Sequence, residues 1–361
     1  MLMAFAVWLE NRTPFAAATH VQVDAEGQEA LVLMLSASFE EEGGLRPAGE
    51  QTPVAFADVP GGDPALSSTR YEADIAPVKP AVDVIVNGVA HAPGGRAAAE
   101  VQVGLRVGPV RKVLHVVGDR ARAAGGYSAP RPFVTMPVVW ERGWGGTAED
   151  GQCEVRNPVG IGFRGARSAD PAVLSEAPNV LYPAEAAAGP GDRPAPAGMG
   201  VVGRGWRPRI GFAGTYDQAW IDNQWPLPPK DFDPRHNLAA PQDQQAPALP
   251  PGTVATLVNL TPEGRWEFRL PRIAAPVRLI YDDRVEETDF VPDTVLIEPE
   301  IRRVTLKARR VFVTRRNAPA LREIAFGHVS PVWLNARRKR KAYLNPLGGD
   351  GTLTDRPTWL P

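Results

Sequence analysis

Proline and glycine set the first limit on what this chain can fold into. It has 38 prolines and 35 glycines in 361 residues, about a fifth of the total, against an average near 12%. Proline lacks a backbone donor and clashes with the preceding helical turn, so long helices are ruled out over much of the length. Disorder is ruled out for another reason. Long apolar runs separate the turns, and 43% of the residues are hydrophobic, enough for a core. What remains is many short strands joined by stiff loops, a mainly β fold of sandwich or barrel type with little helix.

The strand signals cluster at the two ends. Residues 30–39 (ALVLMLSASF) lie between Glu26-Gly27 and the turn at Glu40 to Gly44 and read as a buried strand. Residues 82–89 form a second. Residues 100–107 and 111–117 flank Gly108-Pro109 as a hairpin. There, Val101, Val103, Leu105 and Val107 share one face at period two, and Val113, His115 and Val117 share another. Strands return at 253–260, 266–270, 277–281, 294–297 and 303–313, with Gly264 in a hairpin turn.

Between residues 123 and 251 proline, glycine and tryptophan dominate. Trp140, Trp144, Trp206, Trp220 and Trp225 all fall here, and linkers are poor in aromatics. The stretch therefore reads as an ordered, loop-rich layer pinned by indoles, with helical turns near 215–223 and 231–240. The expected organisation is one β unit over 1–345, divisible into β modules at about 1–122 and 252–345 with the layer 123–251 between them, and a tail at 346–361.

Cys153 is the one cysteine, so no intrachain disulfide can form, and a loop-rich secreted protein would ordinarily carry several. The apolar start from Met1 meets Glu10 too soon for a signal peptide or a membrane span. Both features point to a cytoplasmic protein with no membrane partner. The formal net charge of −1 gives the whole molecule no strong pull on nucleic acid. Charge is nonetheless uneven. Between Ile301 and Lys341 there are thirteen lysines and arginines against one acid, Glu323. The densest run is Arg337, Arg338, Lys339, Arg340 and Lys341. A solvated face is its ordinary use, and an acidic protein surface is the partner it would favour.

No constellation for cofactor or metal chemistry emerges. Gly160 to Gly165 and Gly198 to Gly203 both spell G-x-G-x-x-G, but that motif needs a strand before it and a helix after it. Prolines surround both copies. The five histidines are not at metal-ligand spacing, and a lone cysteine builds no zinc site. Asp217, Asp222, Asp231 and Asp233 stand among Trp220, Trp225 and Phe232. Paired carboxylates beside aromatics suit glycoside cleavage, so a carbohydrate-active or other hydrolase using Asp217, Asp231 and Asp233 is the alternative function. Their positions before short helical turns and beside Pro234 also suit N-caps and turns.

Several phrases occur in an order that resembles a bacterial family, domain of unknown function 2169. They are Asn11 to Phe15 (NRTPF), Ser67 to Tyr71 (SSTRY) with Asp74 and Lys79-Pro80, Asp83 to Gly88 (DVIVNG) with Ala92 to Gly95 (APGG), and Val117 to Arg120 (VGDR). Asn157 to Gly160 (NPVG) with Gly162-Phe163, Gly211 to Asp217 (GFAGTYD) with Trp220, Leu227-Pro228, Asp231 to Asp233 and Ala239 to Gln245 follow. Pro292 to Thr294 extends the set. The chain departs from the pattern at Ser36, where a lysine is expected, at Trp144, in place of Phe or Tyr, and after Asp119-Arg120, where no tryptophan follows. The resemblance implies a type VI secretion adaptor or chaperone. Such a protein would bind an effector bearing a PAAR-like domain and help load it onto the spike protein, without enzymatic activity or cofactor. Trp220, Trp225 and the run Arg337 to Lys341 are the candidate protein-binding residues.

Overall fold

The computed structural model describes residues 7–273, 275–313 and 319–341. The architecture is mainly β, in several separate sheets, with no closed barrel. The chain forms two compact units, the larger holding 14–273 and 291–314.

In the larger unit the spine is the strand Glu29–Glu41, a run of apolar and small residues buried over most of its length. It pairs with Ala16–Val23 on one side and Arg303–Val313 on the other, both antiparallel. The sheet continues through Pro292–Glu298, Val82–Val86 and Gln245–Ala246. Val82–Val86 runs parallel to Pro292–Glu298 and is buried at every position, as a strand covered on both faces must be.

A second, five-stranded sheet contains the expected hairpin, Glu100–Val107 with Val110–Val117, and places Val254–Val258 and Arg265–Arg269 beside it. Glycine at φ +55° opens the turn at Gly108. One face assignment changes. Val107 pairs directly with Val110, so the residues opposite Val101, Val103 and Leu105 are Val116, Leu114 and Lys112. The buried face of the second strand is therefore Val110, Lys112, Leu114 and Val116, while Val113 is exposed and His115 half-buried. The turn, which starts the strand one residue earlier than the apolar pattern suggests, sets the phase. Lys112 survives burial because Asp243 accepts from its Nζ at 2.9 Å, with the Tyr182 ring 5.4 Å away. Burial still pushes the Lys112 pKa down, against the pull of Asp243.

Over residues 123–251 regular structure shrinks to strands of two or three residues, 3-10 turns and the helix Gln218–Asn223. Trp140 and Trp144 are buried there, Trp206 and Trp220 are half-buried and Trp225 is exposed, so two of the five indoles are fully enclosed. The two G-x-G-x-x-G segments serve these rings. Neither is set between a strand and a helix in the Rossmann manner; the first contains only Ile161–Gly162 and the 3-10 turn Phe163–Gly165. A Cβ at Gly162 would meet the Trp144 ring at 3.2 Å, and one at Gly198 or Gly203 would lie 2.8 Å from the ring of Trp140 or Trp206. Glycine is there so that indoles can lie against backbone.

The smaller unit has a four-stranded sheet in the order Trp8–Asn11, Leu321–Phe326, Val277–Tyr281, Val285–Thr288. The helix Pro331–Arg338 starts from Ser330, whose side chain caps Trp333 N, and packs Trp333 with Ile280 and Ala325. The tail at 346–361 lies outside the described residues.

Candidate functional site

Asp74, Lys79, Asp83, Ala239-Ala240 and Thr294 of the family pattern meet in the larger unit, with Glu72, Arg209 and Lys307, as a buried polar network. Glu72, Asp74, Lys79, Asp83, Arg209 and Lys307 have side chains at most 7% exposed. Asp83 accepts Lys79 Nζ at 2.6 Å and the backbone N–H groups of Ala239 and Ala240 at 2.8 and 3.1 Å. Lys79 also reaches Thr294 Oγ1 and Glu72. Arg209 pairs with Glu72 and donates to the carbonyls of Val202 and His236. Lys307 binds both oxygens of Asp74 at 2.8 and 2.9 Å, and Asp74 in turn accepts Ala55 N. Asp83, Thr294 and Lys307 tie strands of the large sheet to the loops laid over it, and Glu72 and Arg209 tie those loops to one another. Buried pairs add little net stability, but leaving one partner alone is costly, so the network specifies where the loops sit. Burial raises the Glu72 pKa, and Lys79, Arg209 and Arg204 together outweigh it, holding the carboxyl below its usual range. Asp293 goes the other way. Burial dominates there and lifts its pKa despite Arg309.

Neutral groups continue the stapling. Asn157 Nδ2 donates to the carbonyls of Trp140 and Trp144. Gln244 Nε2 donates to Val84 O and Met199 O. The departure at Ser36 has a local answer: Lys307 stands directly opposite it on the neighbouring strand, so an ammonium is present one strand over. Sequence reasoning noted these phrases but missed the pairing. The available signal was a charge inside an apolar run, as in Val82-Asp83-Val84 and Leu306-Lys307-Ala308.

Beside the network lies a cleft of about 400 Å³. The Ser67 to Arg70 phrase, Asn87-Gly88, the turn Trp140–Arg142 and Gly200 form much of its wall. Glu141 is buried and accepts Ser68 N at 2.6 Å and Ser68 Oγ at 3.1 Å. Tyr71 donates its hydroxyl to Glu298 at 2.6 Å.

The aspartates of the hydrolase alternative face their own backbone. Asp217 caps Gln218–Asn223 by accepting Trp220 N at 2.8 Å. Asp233 caps the 3-10 turn Pro234–Asn237 through Arg235 N and also pairs with the Arg235 guanidinium. Asp231 accepts Thr215 N and Oγ1. These hydrogen bonds hold Asp231 and Asp233 below the usual carboxylate range. The bonds of Asp217 and Asp231 fix the start of the segment from Tyr216 to Trp225. Trp220 packs edge-on to Tyr216 at 4.8 Å and donates Nε1 to Leu227 O, and Gln224 Nε2 donates to Ala25 O and Pro228 O. Tyr216, Ile221 and Trp225 are left 59%, 53% and 67% exposed.

The basic run splits in two. Arg337 belongs to the smaller unit's core edge, with its Nε 3.0 Å from Glu323 and its guanidinium over the Trp333 ring. Arg340 reaches Asp282 at 2.7 Å. Arg338, Lys339 and Lys341 are exposed.

A family model described as an uncharacterised protein conserved in bacteria (DUF2169) matches residues 26–309, and the chain belongs to that family. No curated protein and no solved structure matches the chain. No helix among the described residues is long and apolar enough to cross a membrane.

Proposed function

We propose that this member of the DUF2169 family is a non-catalytic adaptor of type VI secretion, which holds a PAAR-like-domain effector in the cytoplasm and presents it to the spike protein. One observation carries the binding part of the reading: Tyr216, Ile221 and Trp225 are exposed on a segment whose backbone is held by caps and side-chain bonds at both ends. Large aromatics are enriched among interface hot spots, and presenting them on a pre-organised segment removes part of the ordering cost of association. The identity of the partner rests on the ordered phrases of the family pattern. Asp217 and Asp231 hold that segment and Asp233 caps the turn after it, so the hydrolase alternative is not favoured.

Co-purification with the products of neighbouring genes is the test. A stable complex with a PAAR-like effector is expected, and effector abundance should fall when this chain is deleted. Trp225→Ala should weaken the complex at least about tenfold, or about 1.4 kcal/mol, with unfolding unchanged. Polysaccharide hydrolysis that vanishes in folded Asp217→Asn, Asp231→Asn and Asp233→Asn variants would overturn the reading.

A further inference from the structure

We propose that the cleft beside Trp140 binds an extended peptide segment carrying a lysine or arginine. Two neighbouring groups on one turn carry the inference. The first is the Glu141 carboxylate, 4% exposed. Among the described residues it is hydrogen-bonded only by Ser68 and no cation pairs with it. The adjacent base is engaged elsewhere, because Arg142 donates to Asp119 at 3.1 Å and to Asn179 Oδ1. Buried carboxylates are ordinarily paired, since an isolated buried charge is costly. The second is Trp140, 5% exposed, whose Nε1–H has no acceptor among the described residues.

The geometry in front of Trp140 suits a peptide group. Gly200 lines the cleft, and a Cβ there would lie 3.9 Å from Trp140 Nε1 and 3.7 Å from Asn87 Oδ1. Asn87 Nδ2 donates to Arg70 O, which orients the amide oxygen as an acceptor. The absent side chain of Gly200 thus leaves a notch with a donor on one side and an acceptor on the other. A backbone C=O and N–H complement that pair. Charge selects the side chain. Five carboxylates (Asp63, Glu141, Asp170, Glu298 and Glu300) and two arginines line the cleft. Arg70 lies 3.5 Å from Glu298 and stacks on the Tyr71 ring. His91 faces Glu300. Asp63 and Asp170 accept the backbone N–H groups of Ala65 and Ala172 and are not buried. Glu141 is therefore the buried carboxylate without a cation among the described residues, and charge-assisted contacts to an incoming ammonium or guanidinium are the strong ones.

The inference deepens the adaptor reading and rests on it only for the peptide's source, a segment of the effector. The cleft chemistry stands apart from that source and is tested on the full chain. The probes are a labelled, end-blocked hexapeptide of alternating lysine and alanine, the same peptide with glutamate for lysine, and spermidine. The wild-type chain carries ¹⁵N-indole tryptophan, with the Trp140 signal assigned through Trp140→Phe.

The lysine peptide should shift the Trp140 Nε1–H resonance saturably, and the glutamate peptide should not. Glu141→Gln should weaken binding at least tenfold. Because that substitution touches the Ser68 staple, the wild-type titration decides the matter if the variant fails to fold. An unmoved Trp140 signal, equal binding of both peptides, or an equal shift with spermidine, which has no carbonyl, would each overturn the proposal. An effector complex that forms undiminished with folded Glu141→Gln would sink the effector as the source of the peptide and leave the adaptor reading standing. A lysine peptide that binds while no effector does would leave the cleft standing and sink the adaptor.

Discussion

At the scale of single residues, the protein depends on charges that its sheets hide. Asp83 is fully buried and serves three donors at once. Replacing it with alanine removes the nearest partner of Lys79 and strands two loop amides, so Asp83→Ala should cost about 3–5 kcal/mol, the range for breaking a buried pair from one side. Urea titration measures it, with Asp83→Asn falling between. A loss under about 0.5 kcal/mol, the level of an ordinary surface change, would mean that the pair holds nothing. Glu72 adds a pH dependence. Its folded pKa is depressed, so its contribution is fully present above the unfolded carboxyl value of about 4.3 and is lost as pH falls through the folded value. The sign is opposite for Asp293. With a raised folded pKa, its contribution is present below about 3.9 and is lost as pH rises through the folded value. Stability measured from pH 6 downward should therefore fall less steeply in Glu72→Gln than in the wild type below about 4.3. Parallel curves would assign the acid limb to other groups.

At the scale of elements, the short strands work because loops approach them without side chains between. Gly118 follows the strand Val110–Val117 and donates its N–H to Ala99 O. A Cβ there would lie 1.9 Å from Arg131 O, which is backbone and cannot swing aside. Gly118→Ala should lower stability by about 3 kcal/mol, the upper end of overpacking costs, where a surface alanine would be neutral. Thermal unfolding reads the difference, and a melting point within a degree or two of wild type would show that the loop gives way. The helix Gln218–Asn223 illustrates the complementary case. Six residues cannot hold a helix alone, and the Asp217 cap with the bonds of Trp220 and Gln224 supplies what length does not.

At the scale of the whole molecule, charge is unevenly distributed. The formal charge is −1, yet the run at the end of the described chain is strongly basic. Its residues are not equivalent. Arg337 is engaged by Glu323, whose pKa burial raises against the pull of that arginine, so Arg337→Glu would put two carboxylates together and should destabilise the smaller unit. Arg338, Lys339 and Lys341 are exposed. Reversing those three to glutamate should leave unfolding unchanged, slow association with an acidic partner and flatten its salt dependence, because exposed charge acts mainly on the encounter rate. Unchanged association kinetics across salt would assign the run to solvent.

What the sequence determined by itself follows from local physics. The proline and glycine content excluded long helices, apolar runs marked Glu29–Glu41, Val277–Tyr281 and Arg303–Val313, and aspartates before Trp220 and Pro234 announced their caps. Each needs only neighbours within a few residues. The family was legible for the same reason, as an ordered set of short phrases. Tertiary structure decided the rest. Only a folded chain sets Val82–Val86 beside Pro292–Glu298, brings Lys307 to Asp74, or turns Lys112 inward and Val113 out. The candidate site is of this kind. Ser68, Asn87, Glu141 and Gly200 share one cleft, and nothing in their spacing along the chain says so, because long-range pairing is settled by which buried charges find partners and which backbones can touch.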